Sequence, residues 1–415
     1  MAEYFVINGG KKLEGEIAVG IAKNAALKIL AASILTDKPV KLPKMPNIED
    51  VDRMKELLID LGAKFSGNFI NSSGIKKTDL NYKIADRFRA SIVLTGPILA
   101  RYGKVSFPHP GGCTLGKRPI DFFIDGFSAF GAKVKKRGDI FTVTSKKLIG
   151  NKFVFPTISV TGTENLMMMA VLAQGKTILK NAACEPEIEN LAAFLNSLGA
   201  KISGAGMPSI EINGVKELNG GAWNGFPDRI ESGTFIILAI ASKSNIKIKN
   251  CHPEHLEVLL SLLKKAGADL EIGADYVIVK PVRNLRAIDV KTREYPGLAT
   301  DLQAPLTVLL TQANGISLVH ETIYEGRLFY TDILNQMGAN IIMADPHRVI
   351  VQGPSKLRGK KINSPDIRAG MALIIAALLA EGQSIVDNIY QIDRGYEKID
   401  ERLQALGADI KRIKS

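Results

Sequence analysis

A short motif, one variable residue followed by Gly-Ala, recurs six times in this chain and constrains its fold more than any other feature. Successive motif glycines stand 68 to 71 residues apart. The motifs are Leu61-Gly62-Ala63, Phe130-Gly131-Ala132, Leu198-Gly199-Ala200, Ala266-Gly267-Ala268, Met337-Gly338-Ala339 and Leu406-Gly407-Ala408. Each follows an amphipathic stretch and precedes a strand-like one, so each glycine is predicted to end a helix in the left-handed conformation. A fixed period of this length predicts repeated supersecondary units.

A second regularity shares the period. A helix of small and apolar residues gives way to a polar turn and then a strand, as in 170–179 and 376–386. Each unit of about 69 residues is therefore predicted to run strand, helix, strand, helix, strand, strand. The first helix of a unit is apolar nearly all round, as in Leu166–Leu172, and is predicted to be buried.

Six such units are too many for one hydrophobic core, so three units per domain is the natural division. The boundary is expected in the glycine-rich stretch Gly220–Pro227, which also contains the single tryptophan, Trp223.

Composition excludes several classes of protein. Hydrophobic residues make up 46% of the chain and charged residues 23%, as in a soluble globular protein. The start lacks the pattern of a signal peptide, and the longest apolar run, Gly370 to Ala380, is too short to cross a bilayer. The cysteines, Cys113, Cys184 and Cys251, are far apart, which argues against a disulfide framework or a zinc site. A cytoplasmic enzyme or binding protein is expected.

The net charge of +12 is compatible with nucleic acid, a membrane surface or small anionic substrates as partners. The lysines are scattered, and no basic stretch is interleaved with aromatic residues as in a single-strand binder. A nucleic-acid-binding protein is the alternative from another class, and it predicts a contiguous basic face with steeply salt-dependent binding.

Cations recur where the helices of the units are predicted to start. They are Lys23, Arg89, Arg118, Arg229, Arg327, Arg368 and Arg394. A helix N-terminus carries free N–H groups and partial positive charge, so cations there need a compensating anion. Their register with the repeat predicts helices aimed at a common polyanionic site. Arg229 is expected to be structural, paired with Asp228 or Glu231, whereas Lys23, Arg89, Arg118 and Arg394 are expected to be functional.

One loop, Pro110–Pro119, combines three glycines with a lone thiol. Lys117 and Arg118 stand close to Cys113, and nearby cations favour the thiolate. Pro119 is predicted to be the first residue of a helix. The connection from Gly103 to Pro119 is longer than its counterparts in other units, and it is interpreted as a mobile lid that carries a reactive cysteine over an anionic substrate.

Several motifs together resemble one enzyme family, the UDP-N-acetylglucosamine 1-carboxyvinyltransferases, which are enolpyruvyl transferases. The resemblance rests on Ala22–Leu27, Arg89-Ala90-Ser91, Pro110–Asp121, Ser159–Asn165, Pro227–Glu231, Thr300–Gln303 and Ile392–Glu397. It runs from end to end of the chain. The related shikimate-pathway transferases share the fold but have no such cysteine loop, so they are the less favoured enzyme class.

The resemblance implies an α/β fold of two inside-out barrel domains, each of three βαβαββ repeats with the helices packed internally. It implies that residues 1–22 join 228–415 in a C-terminal domain, because the N-terminal strand belongs there. Residues 23–227 would form the domain that carries the Cys113 loop.

The resemblance also implies substrates and site residues. The substrates would be phosphoenolpyruvate and UDP-N-acetylglucosamine, in the first committed step of peptidoglycan synthesis. Lys23, Arg118 and Arg394 would hold the phosphate of phosphoenolpyruvate, with Asn24 beside them, and Arg327 and Arg368 would face its carboxylate. Residues expected to bind the nucleotide sugar are Arg89, Arg118, Pro119, Ile120, Asp121, Phe122, Thr157, Ile158, Ser159, Val160, Asp301 and Ile323.

The implied reaction is addition followed by elimination. Cys113 would be the proton donor and the site of alkylation by fosfomycin, and Asp301 would be the base that takes the hydroxyl proton. Lys23 and Arg394 would complete the catalytic set. No metal, redox cofactor, nucleic acid or membrane partner is expected, and the chain would act as a monomer or weak oligomer.

Overall fold

A computed structural model of the chain describes residues 3–86, 88–111 and 120–414. The strands are β1 Glu3–Asn8, β2 Glu14–Ala18, β3 Val40–Lys41, β4 Lys64–Ser66, β5 Phe69–Asn71, β6 Lys104–Pro108, β7 Lys133–Arg137, β8 Ile140–Thr144, β9 Lys152–Val154, β10 Lys176–Lys180, β11 Lys201–Ser203, β12 Ser209–Asn213, β13 Gly221–Ala222, β14 Asn245–Lys249, β15 Asp269–Ile272, β16 Tyr276–Lys280, β17 Val290–Lys291, β18 Gly315–His320, β19 Asn340–Asp345, β20 Arg348–Gly353, β21 Lys361–Asn363, β22 Gln383–Asp387 and β23 Asp409–Lys414.

The α-helices are α1 Lys23–Ala32, α2 Glu49–Leu61, α3 Tyr82–Ala85, α4 Thr95–Tyr102, α5 Asp121–Ala129, α6 Val160–Ala170, α7 Pro186–Ser197, α8 Arg229–Ala241, α9 Glu257–Lys265, α10 Gln303–Leu310, α11 Thr331–Gln336, α12 Ile367–Leu379, α13 Tyr390–Asp393 and α14 Ile399–Ala405. Short 3₁₀ helices span Ser33–Leu35, Arg89–Leu94, Pro253–Leu256 and Thr300–Leu302. Nowhere in the part of the chain that the structure describes is a helix both long and apolar enough to cross a membrane.

The described residues fall into two compact units, which divide between Ala22 and Lys23 and again between Phe226 and Pro227. The terminal unit comprises residues 3–22 and 227–414, and the middle unit comprises the described residues from 23 to 226. Strand β1 lies between β22 and β23 and is antiparallel to both, with Phe5 opposite Val386 and Arg412. The two ends of the described chain therefore share one sheet.

The described strands pair into six small sheets, three in each unit. In the middle unit the orders are β13-β3-β5-β4, β6-β8-β7 and β11-β12-β10-β9; in the terminal unit they are β21-β22-β1-β23, β15-β16-β14-β2 and β17-β18-β20-β19. Alternation along β14 shows why one face of a sheet turns to the core: Ile246 and Ile248 are buried, while Lys247 and Lys249 are partly exposed.

The six repeat glycines have φ between 86° and 115°, and each stands at the end of a helix with a strand starting two residues later. The prediction that they end helices in the left-handed conformation is confirmed. Gly62 shows the constraint most clearly, because a Cβ there would run into the carbonyl oxygen of Gly74.

The first helix of each repeat forms the interior of its unit. Every residue of α8 is buried, and α10, α12, α1, α4 and α6 are largely buried too. Side chains at similar distances from the helix starts meet: Lys28 of α1 pairs with Glu164 of α6, and Asn165 donates to the carbonyl oxygen of Ile92. These contacts bring the first two turns of internal helices of the middle unit close together. The predicted fold class, α/β repeats with helices packed inside, is confirmed.

Candidate active site

In the terminal unit, two arginines converge on the carboxylate of Asp301. Arg327 donates through Nη2 to Asp301 Oδ1 at 2.9 Å, and Arg368 donates through Nε to Oδ2 at 2.9 Å. Both arginines are buried, whereas 26% of the Asp301 side chain is exposed. The Asp301 carboxylate is thus the shared acceptor of two guanidinium groups. This cluster lies at the start of two internal helices and presents a carboxylate that can receive a proton.

Arg368 is also fixed on its other side. Its Nη1 donates to the hydroxyl of Tyr396 at 3.3 Å, and its guanidinium lies 5.6 Å from the centroid of that ring. Thr234 Oγ1 donates to Ile230 O, so the Tyr396 hydroxyl, 3.2 Å away, donates to Thr234. The buried chain of hydrogen bonds from Thr234 through Tyr396 holds the guanidinium against Asp301.

Electrostatics explain how these cations remain charged when buried. Burial lowers the pKa of Arg368, but the Asp301 carboxylate and further groups nearby together outweigh it, and the net pKa lies above the ordinary value. In Arg327, burial likewise lowers the pKa, and Asp301 acts together with other nearby acidic groups to raise the net pKa. Burial raises the pKa of Tyr396, which keeps the phenol protonated.

Two cations predicted at helix starts lie elsewhere. Arg327 lies in the turn before α11, and Arg394 follows the last residue of α13. Both segments combine an acidic residue, an arginine and a glycine, as Glu325-Gly326-Arg327 and Asp393-Arg394-Gly395, but both form turns instead of helix starts. Arg394 donates to Gln391 Oε1 at 3.0 Å, and its turn packs on the start of α12, where Gly395 closely approaches Ile367.

The chain itself supplies anions to two of the cations that do lie at helix starts. Lys23 Nζ lies 2.8 Å from Asp50 Oδ2, and both residues are buried. Asp301 compensates Arg368. The cations at helix starts are thus weaker support for a polyanionic ligand than their register suggested.

Arg229 is buried at the start of α8. Its guanidinium lies 5.6 Å from the centroid of the Tyr295 ring. The Asp228 carboxylate caps α8 by accepting from the backbone of Ile230 and Glu231, and Glu231 pairs with Arg402 at 2.5 Å. At the start of this helix, the Asp228 carboxylate therefore binds backbone N–H groups and the Glu231 carboxylate binds Arg402.

In the middle unit, the starts of the internal helices bring three of the predicted segments to one end. Lys23 and Asn24 begin α1, Arg89 begins the 3₁₀ helix that leads into α4, and Val160 begins α6. Asn24 and Arg89 are partly exposed, whereas Lys23 is buried.

Phe122, from one segment expected to bind the uridine diphosphate, lies against the start of α6, which directly follows Thr157 to Ser159 of the other segment. The Phe122 ring packs against the start of α6, where a Cβ on Gly162 would lie 2.8 Å from Phe122 Cε2. Ser159 accepts from the backbone N–H of Gly162 at 3.1 Å and is the N-cap of α6. Thr161-Gly162-Thr163-Glu164 has the sequence pattern of a capping box, but Ser159 rather than Thr161 is the N-cap, so the helix starts two residues before that pattern. Thr157 and Ile158 are exposed, Asp121 is exposed at the start of α5, and Ile120 is buried.

Glu164 belongs to a buried pair. Its Oε2 lies 3.3 Å from Lys28 Nζ, and both side chains are buried. Burial raises the pKa of Glu164 to about 8; Lys28 lowers it in part, and the nearby Glu187 and Glu185 raise it further. Glu164 is therefore a structural partner of Lys28 rather than an N-terminal cap.

Three of the predicted site residues, Cys113, Arg118 and Pro119, lie outside the residues that the structure describes. The extended loop interpretation and the roles that depend on it remain predictions.

Some residues of these clusters support a predicted site residue but had no role predicted from the sequence. Asp50, Tyr396 and Glu321 each hold a predicted site residue or its segment in place. Glu321 is fully buried and accepts from the backbone N–H groups of Ile323 and Tyr324 at 2.8 and 3.2 Å. A carboxylate directly after an apolar strand, two residues before a predicted ligand residue, was the available signal.

Comparisons with known proteins identify the family. The family model described as EPSP synthase (3-phosphoshikimate 1-carboxyvinyltransferase) matches residues 7–403. The chain is 41% identical over 412 residues to a UDP-N-acetylglucosamine 1-carboxyvinyltransferase of Desulforapulum autotrophicum, covering 98% of this chain and 99% of the relative. It is 42% identical over 417 residues to the enzyme of the same name from Coxiella burnetii, covering 99% and 96%.

Solved structures show the same fold. The enolpyruvyl transferase NikO from Streptomyces tendae superposes with a TM-score of 0.91 at 22% identity, over 100% of this chain and 99% of that one. An EPSP synthase from Acinetobacter baumannii gives a TM-score of 0.74 at 18% identity, with both chains fully covered. The full-length match to the family model and the relatives at 41–42% identity establish that this chain belongs to the EPSP synthase family of enolpyruvyl transferases, among the UDP-N-acetylglucosamine 1-carboxyvinyltransferases.

Proposed function

We propose that this enzyme transfers the enolpyruvyl group of phosphoenolpyruvate to the 3-hydroxyl of UDP-N-acetylglucosamine and releases phosphate, the first committed step of peptidoglycan synthesis. The names of the relatives at 41–42% identity support the choice of substrates. The structural observation that carries the proposal is the partly exposed Asp301 carboxylate, which accepts hydrogen bonds from two buried guanidinium groups. That cluster combines a proton acceptor with cations suited to a carboxylate substrate.

The proposed reaction is addition followed by elimination. A proton from Cys113 adds to the methylene carbon of phosphoenolpyruvate, so that C2 becomes electrophilic. The sugar 3-hydroxyl attacks C2, and Asp301 takes the hydroxyl proton. The Cys113 thiolate then takes a proton back from the methyl group as the C–O bond to phosphate breaks, which restores the double bond. Phosphate departs with the bridging oxygen, and the sequence of steps needs no net oxidation.

Phosphoenolpyruvate brings a phosphate and a carboxylate that require cations. We assign its phosphate to Lys23, Arg118 and Arg394, with Asn24 nearby. We assign its carboxylate to Arg327 and Arg368, which would share it with Asp301. Arg368 directs Nε and Nη2 at Asp301 and Nη1 at Tyr396, and a guanidinium has five N–H donors, so donors remain for a second acceptor.

For the nucleotide sugar, we assign the diphosphate and uridine to Arg89, Arg118 to Phe122 and Thr157 to Val160. The closeness of Phe122 to the start of α6 supports one binding surface for the last two segments. The free N–H groups at the start of α6 suit an anionic ligand. The aminosugar is assigned to Asp301 and Ile323.

The proposal also covers the inhibitor, cofactors, cellular location and oligomeric state. We expect fosfomycin to alkylate Cys113, and we expect activity without an added metal or redox cofactor. We expect the enzyme to act in the cytoplasm as a monomer or weak oligomer, without nucleic-acid or membrane partners.

Phosphate release from phosphoenolpyruvate tests the function directly. The purified enzyme is expected to release phosphate with UDP-N-acetylglucosamine and not with shikimate 3-phosphate, the acceptor named by the family model's description. Release with shikimate 3-phosphate only would assign the enzyme to the other branch of the family, and release with neither acceptor would refute both assignments.

A further inference from the structure

Glu321 joins two segments of the terminal unit that are distant in sequence. It follows β18 directly, and its side chain is fully buried. Its Oε1 accepts from the backbone N–H groups of Ile323 and Tyr324, at 2.8 and 3.2 Å. Its Oε2 accepts from Thr300 Oγ1 at 2.9 Å. One carboxylate therefore fixes both the turn that contains Ile323 and the residue before Asp301.

The same residues close a ring of contacts. The Arg327 guanidinium lies 5.4 Å from the centroid of the Tyr324 ring and donates to Asp301 Oδ1. The backbone of Glu321 is fixed as well, since its N–H donates to His347 O and its carbonyl oxygen lies 2.9 Å from His347 Nδ1. A side chain held on both sides and fully hydrogen-bonded is suited to set the position of its neighbours.

We propose that Glu321 is a positioning residue for Asp301 and Ile323, the two residues assigned to hold the aminosugar. It acts through Thr300 and through the backbone of Ile323 and Tyr324. This inference rests on the proposed function, because it assigns Glu321 to recognition of the acceptor. Glu321 itself is buried beneath the site and acts through its neighbours. Its loss should weaken binding of the nucleotide sugar more than binding of phosphoenolpyruvate.

The experiment removes one bond without removing the buried carboxylate. Thr300→Val keeps the shape of the side chain and deletes the hydrogen bond to Glu321, and Thr300→Ser restores the hydroxyl. We expect Thr300→Val to raise the KM for UDP-N-acetylglucosamine by about tenfold, because a buried acceptor loses its donor. The KM for phosphoenolpyruvate should stay close to the wild-type value, and Thr300→Ser should recover most of the loss.

Two further variants separate positioning from general stability. Glu321→Gln retains an oxygen for the N–H groups of Ile323 and Tyr324, but its amide nitrogen cannot accept from Thr300 Oγ1, so it should also raise the acceptor KM selectively. Glu381→Gln changes an exposed glutamate of the same unit, paired with Lys356, and should leave both KM values unchanged.

The outcomes distinguish failure of the positioning role from failure of the proposed function. If the wild-type enzyme turns over UDP-N-acetylglucosamine but Thr300→Val and Glu321→Gln keep its acceptor KM, the positioning role is wrong and the function stands. Equal rises in both KM values, or a lowered melting temperature with unchanged KM values, would likewise overturn the positioning role. If the wild-type enzyme shows no turnover with this acceptor, the proposed function itself fails.

Discussion

The pair of arginines on Asp301 is an arrangement in which the geometry of the cation matters as much as its charge. Arg368 reaches Asp301 and Tyr396 at once, through nitrogens on opposite sides of one planar group. A lysine ammonium is a compact charge and cannot span both partners. The position of Asp301 therefore depends on the guanidinium and on the buried tyrosine that orients it.

Arg368→Lys is expected to lower kcat/KM by about a hundredfold, since it loses both directed contacts while keeping the charge. Steady-state assays of phosphate release measure this. Arg348→Lys provides the matched control, because Arg348 is exposed and pairs with Asp345 on the surface of the same unit. An Arg368→Lys variant as active as Arg348→Lys would show that the fork geometry is dispensable.

The thiols of the chain should differ sharply in reactivity. Burial raises the pKa of Cys184, and burial raises the pKa of Cys251 to about 11, so neither forms much thiolate at neutral pH. Fosfomycin should therefore add once to the wild-type protein, at Cys113, and should not add to Cys113→Ser. Intact-protein and peptide mass spectrometry locate the adduct, and an adduct on Cys184 or Cys251 would contradict the loop assignment.

At the scale of helices and strands, the interior of the middle unit contains a buried pair of ionisable side chains. Glu164 and Lys28 meet between α6 and α1, with Glu185 and Glu187 close to Glu164. In the folded chain burial raises the pKa of Glu164 to about 8, so it holds a proton that the unfolded chain releases near 4.5. Stability should therefore fall as the pH rises through this window.

Glu164→Gln removes this titration, since an amide is neutral throughout. We expect the free energy of unfolding of the wild-type protein to fall more between pH 4.5 and about 8 than that of the variant. Urea denaturation at the two ends of the window measures the difference. Glu189→Gln, at an exposed position of α7, should retain the wild-type dependence; an equally steep fall in Glu164→Gln would refute the prediction.

The repeat glycines differ in how closely other atoms approach the position of a Cβ. At Gly407 a Cβ would meet little, so Gly407→Ala should destabilise by about 1 kcal/mol through backbone strain. At Gly62 the same change adds a clash with Gly74, so the loss should be clearly larger. Thermal or denaturant unfolding of the two alanine variants compares them, and equal losses would argue that strain, not close approach, governs both turns.

At the scale of the whole molecule, periodicity made the fold predictable. The repeat glycines, the apolar internal helices and the strands that follow them all depend on local patterns, and the structure contains them at the expected positions. Helix starts were less certain where the chain forms a tight turn, as at Arg327 and Arg394. Local sequence does not distinguish such turns from helix starts because both use glycine and acidic residues.

The partners of the site residues were not predictable from sequence. Asp50 meets Lys23, and Asp301 meets Arg327 and Arg368, across separations that no local pattern records. Glu321 and Tyr396 support the site from buried positions. Glu321 belongs to none of the motifs, and Tyr396 lies within Ile392–Glu397 without a role predicted for it. The sequence therefore pointed to residues that face substrate, and the structure was needed for those that hold them.

The claim that this enzyme breaks the C–O bond of phosphoenolpyruvate and passes its carbon skeleton to a sugar hydroxyl is tested most directly with heavy oxygen at the bridging ester position. After turnover with UDP-N-acetylglucosamine, the label should appear in inorganic phosphate, and the nucleotide sugar should carry the enolpyruvyl group on its 3-oxygen. Label retained in pyruvate, with the nucleotide sugar unchanged, would show P–O cleavage and hydrolysis and would contradict the account.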